Sequence, residues 1–323
     1  MTEQMNNGKT ALVLGATGGI GGAMARGLAA RGWRIRALNR NAAEAARREP
    51  GFDWVQGDAM QASDVLKAAT GVEVIVHAVN PPGYRNWAQL VLPMLDSTIA
   101  AAKAVGARIV LPGTVYNFGP DVLPDVTEDS PQHPQTRKGA IRVEMERRLK
   151  AAAEGGTPVI ILRAGDFFGQ HTNSWFSQGI VKPGKPVASV TYPGRVGIGH
   201  QWAYLPDVAE TMIRLIEKGD ALPAFAVYHM RGHWDGDGRQ MVGAIERAVG
   251  HRVTEKSFPW WILPLAAPFV PLMKELREMR YLWKVPLQMR NDKLVAVLGE
   301  EPHTPIDEAV KASLAAIGCL SAR

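Results

Sequence analysis

Short apolar runs alternate with Ala-rich amphipathic stretches through the first half of the chain. The runs are Ala11–Leu14, Arg34–Leu38, Asp53–Val55, Val74–Val76 and Arg108–Leu111. Between them lie helical patterns at Ala23–Arg31, Ser63–Ala69 and Trp87–Val105. Strand–helix–strand repetition with short connections predicts a parallel sheet with helices on both faces. A further helix is predicted over Lys138–Glu154, where Ile141, Met145 and Leu149 recur every fourth residue on one face. Gly155 and Gly156, followed by Pro158, end that helix and open another strand, Val159–Leu162.

Beyond residue 165 the texture changes. Six of the nine tryptophans fall there, and Gly/Pro-rich segments alternate with short helices such as Val208–Lys218 and Gln240–Val249. The predicted fold class is therefore α/β: a Rossmann-type, doubly wound parallel sheet with a smaller, interleaved C-terminal lobe. The expected division is a dinucleotide-binding domain over 8–165, to which later segments return. Residues 166–323 are expected to form mainly a substrate-binding lobe with C-terminal helices.

Composition narrows the function classes. The 323 residues carry a net charge of +6 without a basic block, which suits an anionic small molecule rather than nucleic acid. One cysteine, Cys319, excludes an internal disulfide framework and a cysteine-rich metal site. No apolar run is long enough to span a bilayer; Phe258–Met273 comes nearest and holds four prolines. With no leader-like N-terminus, the expected location is the cytoplasm. No metal site is expected, because His229 and His233 lie on or beside a predicted strand, Ala224–Met230, as edge or surface residues.

The strongest chemical signal is Gly15-Ala16-Thr17-Gly18-Gly19-Ile20-Gly21, directly after the first apolar run and opening the first helix. A strand turning sharply into a helix aims free N–H groups and the positive helix end at a pyrophosphate. Glycine lets the phosphates approach the main chain. The second strand ends in Asn39-Arg40 with no carboxylate before Glu44. Arg40 could pair with a ribose 2′-phosphate, with Asn39 assisting, which predicts NADP over NAD.

These features resemble the short-chain dehydrogenase/reductase superfamily, in its extended or atypical branch of epimerase- and dehydratase-like members. Gly15–Gly22 is similar to the dinucleotide turn. Val55-Gln56-Gly57-Asp58 resembles the third-strand motif whose Asp contacts adenine, with Ala59 beside it. His77-Ala78-Val79 resembles the fourth-strand end that lines the cofactor. Leu111–Gly119 resembles the fifth-strand motif, and Leu162–Gly169, with Arg163 and Ala164, the segment passing the nicotinamide. Tyr204–Ala209 and Thr304–Ala309 resemble later motifs of the extended members. Asp207 is otherwise read as a helix N-cap.

The resemblance breaks at the superfamily's Tyr-x-x-x-Lys. Tyr84, Tyr116, Tyr192, Tyr204, Tyr228 and Tyr281 are followed four positions later by Ala, Pro, Val, Val, Gly and Val. One register puts Lys138 in the place of the Tyr and Arg142 in that of the Lys; another puts Thr136 and Ala140 there. Lys138 and Arg142 either hold the nicotinamide ribose or an anionic substrate, or form a solvent-facing stripe. Thr114 is the leading site residue, with Tyr116 and Lys138 as the other catalytic candidates. Asp166, His171, His200 and Tyr204 are candidate replacement acids. The expected function is NADP-dependent hydride transfer on a small carbonyl or alcohol substrate. The alternative is a non-catalytic NADP-binding sensor or partner-binding protein. Trp87–Val105 could serve a homodimer interface.

Overall fold

The computed structural model describes residues 8–81, 86–170, 174–266, 273 and 277–320. The chain divides into two units. The first comprises Met1–Gly113, Ile141–Leu162 and Ala209–Tyr228; the second comprises Thr114–Ala140, Arg163–Val208 and His229–Arg323.

The first unit is built on a seven-stranded sheet of β1 (Thr10–Leu14), β2 (Arg34–Asn39), β3 (Asp53–Gln56), β4 (Val74–His77), β5 (Arg108–Thr114), β7 (Val159–Ala164) and β11 (Phe225–His229). Their spatial order is β11-β7-β5-β4-β1-β2-β3. The reversal of direction around β1 is the doubly wound pattern that the apolar runs predict. β1 pairs in parallel with both β2 and β4, in register Leu12↔Arg36 and Leu12↔Ile75. Every residue of β1 is buried, as expected of a central strand covered on both faces.

Helices α1 (Gly19–Ala30), α2 (Ala42–Arg48), α3 (Ala62–Ala69), α4 (Trp87–Val105) and α5 (Arg137–Glu154) follow β1 to β5 in the chain, with β6 (Asp125–Val126) preceding α5. The apolar spacing on α5 acts as predicted, since Met145 and Leu149 enter the same core as Leu12, Ile75 and Leu95. α1 also packs on α6 (Leu205–Lys218): a Cβ on Gly27 would lie 2.4 Å from Ile213 Cδ1. Beside this contact Arg31 bridges Glu210 and Glu217 at 2.7 and 2.8 Å.

The second unit holds a three-stranded sheet of β8 (Asp166–Phe168), β10 (His200–Tyr204) and β12 (His233–Asp235), in order β12-β10-β8, with β9 (Ser189–Tyr192) outside it. Trp202 is fully buried at its centre and packs edge-on to Phe168. α7 (Gln240–Val249) and the helix Ile306–Ala316 pack together, with Met241, Ile245, Val310 and Leu314 in that core. Of the late tryptophans, Trp202 and Trp283 are core residues and Trp261 is exposed. Trp260 donates its Nε1–H to Pro193 O at 2.8 Å. A second small core joins Val115, Phe118, Val126, Met279, Leu282, Leu287 and Met289.

The chain leaves the first unit after Gly113, Leu162 and Tyr228, near the C-terminal ends of β5, β7 and β11. Among the described residues no helix is long and apolar enough to cross a membrane.

Candidate functional site

The turn after β1 has the geometry its glycines predict. Gly15 adopts φ +90°, and a Cβ there would lie 2.5 Å from Ala78 O. A Cβ on Gly21 would lie 2.2 Å from Gly15 O, so α1 starts pressed against the turn. Gly18 N–H donates to Gly15 O at 2.9 Å and closes the loop. Gly18 caps α1 without a side-chain bond, and the first helical turn carries no acid. Thr17 and Gly18 are exposed, and Gly19 and Ile20 are half-buried. The cradle is therefore shaped for an anion: uncapped N–H groups, a positive helix end and no side chain in the way.

The ends of the neighbouring strands flank this turn. Asp64 Oδ2 accepts from Asp58 N–H at 2.9 Å, and Asp58 Oδ1 accepts from Met60 N–H at 3.0 Å. Asp58 and Ala59 are half-buried, as are Ala78 and Val79 after β4. Asn39 Oδ1 accepts from Asn41 N–H at 2.8 Å. Arg40 is exposed on the turn beyond β2. Arg36 is committed elsewhere, with Nε on Asp53 at 3.2 Å and Nη1 on Ala68 O and Thr70 O.

Just below Val79, His77 is buried, with its Nδ1 2.8 Å from Thr98 Oγ1. The Thr98 hydroxyl donates to Met94 O, so it accepts from His77 Nδ1–H, and Nε2 is left as an acceptor. Burial, reinforced by the charge of Arg142, holds this imidazole down at about 3. Thr98→Val keeps the side-chain shape but strands the buried Nδ1–H. Its expected cost is about 1–3 kcal/mol, read as a lower urea midpoint; an unchanged midpoint would mean that another acceptor serves His77.

In the second unit, Thr114 ends β5 and its Oγ1 accepts from Tyr116 N–H at 3.3 Å. Tyr116 is half-buried against the small core. Lys138 is buried rather than part of a solvent-facing stripe. Glu278 is its partner: Oε1 accepts from Lys138 N–H at 2.8 Å, and Oε2 lies 3.9 Å from Nζ. Arg163 is fully buried, with Nη1 2.9 Å from His229 Nε2 and the guanidinium over the Phe118 ring. Its side chain is thereby committed to packing. Ala164 is buried beside it.

Of the candidate replacement acids, two are brought together. His200 Nε2 lies 2.9 Å from Asp166 Oδ2, and both line a small pocket with Val115, Gln201, Leu282 and Leu287. Tyr204 is buried, and burial followed by the charge of Asp207 raises its phenol. His171 lies outside the described residues. Three sequence expectations are corrected. His229 and His233 are buried, not edge or surface residues. Burial, and then the charge of Arg163 whose Nη1 lies 2.9 Å from Nε2, holds His229 neutral. Asp207 lies inside α6 and binds Thr304 N and Oγ1, both at 2.7 Å, so it ties down the segment before Ile306–Ala316. Among the described residues no cluster of three or more His, Cys, Asp or Glu could hold a metal ion.

Residues 11–230 match the NAD dependent epimerase/dehydratase family. The chain belongs to this family. The match covers β1 through β11 and so includes the glycine turn and most candidate site residues. It is a family of NAD-dependent epimerases and dehydratases. Two curated relatives are similar over part of their length. A 3-diazoavenalumate denitrifying reductase of Streptomyces sp. is 30% identical over 180 residues, covering 50% of this chain and 57% of its own. The uncharacterized protein y4nL of Sinorhizobium fredii is 29% identical over 189 residues, covering 52% and 53%. The chain thus spans little more than half the length of either relative.

Solved structures share the fold across nearly the whole chain. MoeE5 in complex with UDP-glucose and NAD is similar with a TM-score of 0.74 and 16% identity, covering 95% of this chain and 98% of that one. UDP-glucose 4-epimerase from Bifidobacterium longum, with NAD+ and UDP, has a TM-score of 0.72 at 17% identity, covering 95% and 97%. UDP-glucuronic acid 4-epimerase from Bacillus cereus, with NAD, has 0.74 at 15%, covering 95% and 96%.

These findings overturn the expectation of NADP. The family is NAD dependent, and MoeE5 and both epimerases hold NAD. The structure supplies the physical reason. Among the described residues neither arginine near the end of β2 is fixed toward a ligand: Arg40 is exposed on the turn, and Arg36 is held by Asp53, Ala68 O and Thr70 O.

Proposed function

We propose that this member of the family binds NAD at the Gly15–Gly21 turn. It then oxidises or reduces a carbon bearing a hydroxyl or carbonyl on a small hydroxylated substrate, with nucleotide sugars as the first class to test. The observation that carries the reading is the cradle itself: Gly15, Gly18 and Gly21 leave room where any Cβ would meet backbone, below an uncapped helix start.

NAD, when bound, supplies the site that accepts or returns a hydride. The chain's residues do the rest. The N–H groups opening α1, with Thr17 beside them, receive the pyrophosphate. Asn39 offers its amide N–H to the adenosine ribose, a neutral partner suited to a free hydroxyl. Asp58 meets the adenine amine, with Ala59 beside it. Ala78 and Val79 form an apolar wall, and Arg163 and Ala164 contribute backbone near the nicotinamide end. Thr114 Oγ1 already accepts from Tyr116 N–H, so its own proton is available to a substrate oxygen. Tyr116 supports that arrangement through its backbone. The Lys138 ammonium stabilises negative charge on the reacting oxygen.

Calorimetric titration with NAD tests the reading. Binding to the native protein is expected. Gly21→Ala should weaken it by about tenfold to a hundredfold, the equivalent of one or two charge-assisted hydrogen bonds. No binding of NAD to a folded native protein would sink the proposal.

A further inference from the structure

Four of the six large apolar side chains left exposed among the described residues gather at one end of a two-stranded ribbon. We propose that this end docks on an anionic lipid membrane surface, as a peripheral contact that does not cross the bilayer. The patch lies wholly within the second unit, and its docking is independent of the NAD-dependent reading.

The ribbon consists of β9 and β13 (Thr254–Ser257), paired in parallel from Thr254↔Ser189 to Ser257↔Tyr192. Parallel pairing sends both chains out at the same end. One leaves through Pro193 to Arg195 and Val196; the other leaves through Phe258 to Trp261 and the short helix α8 (Ile262–Ala266). Two bonds hold the exits side by side. Phe258 N–H donates to Tyr192 O at 3.0 Å, and Trp260 Nε1–H donates to Pro193 O at 2.8 Å. Val196 is 67% exposed on the first exit, and Trp261 and Leu265 are 70% and 67% exposed on the second. Ile262 is exposed beside them, whereas Leu263 is buried. Spacings of three and four residues put Trp261, Ile262 and Leu265 on one face, with Leu263 anchoring the opposite one. Behind them Trp175, Phe258 and Trp260 pack ring to ring, with centroids 4.8 to 5.9 Å apart, so the tips stand on a fixed aromatic base.

Charge decides what covers this face. Arg195 and Lys256 are exposed at the two exits and make no ion pair among the described residues. Arg280 holds its guanidinium 5.5 Å over the Trp260 ring. The acids nearby are engaged: Glu255 pairs with Arg239, and Asp237 Oδ1 accepts from Arg239 N–H at 2.9 Å. Exposed tryptophan and aliphatic tips beside free cations suit the bilayer interface, where the rings enter the headgroup layer and the cations meet lipid phosphates. A second copy fits less well, because a two-fold contact would set the cations of one patch against those of the other.

The sequence here has the same character. Phe258–Met273 carries no charged residue, yet its four prolines and its length of 16 residues leave it unable to span a bilayer as a helix. Surface docking uses such a segment without requiring a span.

Sedimentation of the full chain with lipid vesicles tests the assignment. Native protein is expected to bind vesicles of phosphatidylcholine and phosphatidylglycerol in equal parts, and to bind less as salt rises. Binding to phosphatidylcholine alone should be weaker by about tenfold or more. Trp261→Ala combined with Leu265→Ala should lower the partition coefficient on the mixed vesicles by about tenfold to a hundredfold. Arg195→Gln and Lys256→Gln should each lower it about fivefold. All four side chains are exposed, so these variants should keep the native urea midpoint. Leu66→Ala, at an exposed position of the first unit, should bind as native protein does. Native protein that stays in the supernatant, or a folded Trp261/Leu265 double variant that binds like native, overturns the proposal. Equal binding to charged and uncharged vesicles overturns it as well. Light scattering that shows a dimer split by the same double substitution also overturns it and gives the patch to a second copy. NAD titration of the double variant should match native protein, so a failure of membrane docking and a failure of the NAD reading are told apart.

Discussion

Replacing Lys138 by methionine is expected to lower kcat by about a hundredfold to a thousandfold, the usual loss when one preorganised charge leaves a developing oxyanion. The structure predicts that the variant folds. Methionine has a similar reach and an apolar body suited to a position this buried. Glu278 also keeps its bond to the residue 138 N–H, which anchors the start of α5 through the backbone and survives the change. NAD affinity should move far less than turnover, because the phosphate cradle lies on α1. Steady-state rates with NAD and UDP-glucose, set beside calorimetry, separate the two effects. Equal kcat in Lys138→Met and native protein would remove Lys138 from the chemistry and leave it as the buried partner of Glu278.

Lowering the pH from 7 to 5 should cost each unit about 2 kcal/mol through one histidine, about 4 kcal/mol from the two together. His77 in the first unit and His229 in the second are both held at about 3, chiefly by burial and then by Arg142 and Arg163 respectively. The unfolded chain protonates each near 6.5. Between those values the unfolded state binds protons that the native state refuses, so stability is full above about 6.5 and drains away as pH falls toward 3. His233, lowered to about 4 by burial and by His303, adds in the same direction. Urea midpoints at pH 7 and pH 5 measure the effect. Equal midpoints would mean that His77 and His229 accept protons in the native fold.

Much of the first unit was legible because its signals are local. The apolar run Ala11–Leu14, the glycine turn and the Ala-rich helix lie within a few residues of each other, and their geometry follows from glycine sterics and helix polarity. The helix predicted over Trp87–Val105 has those same bounds in the structure. Legibility fails where partners are remote. Glu278 lies 140 positions from Lys138, and nothing near either residue announces the pair. Asp207 reads as a helix cap because capping is the local use of Asp, whereas its partner Thr304 is 97 positions away. Arg163 falls in a segment that resembles one passing the nicotinamide, yet its side chain goes to His229, a long-range contact with no periodic signature. His200 and Asp166 were visible only as separate candidates. Pairing them required the parallel register of β8 and β10, in which Trp202 stands opposite Asp166. Arg40 misled because a charge in the right place says nothing of whether the fold holds it there.

The five passages of the chain between its two units constrain how such a protein can be inherited. A single genetic crossover cannot exchange one unit for that of a relative. It would join the β1–β5 half of one parent to the β7 and β11 strands of another, splitting the seven-stranded sheet between two ancestries. New substrate preferences must therefore arise by substitution within the interleaved segments, or by replacement of the final stretch from His229 onward, the longest piece of the second unit that can be swapped in one event.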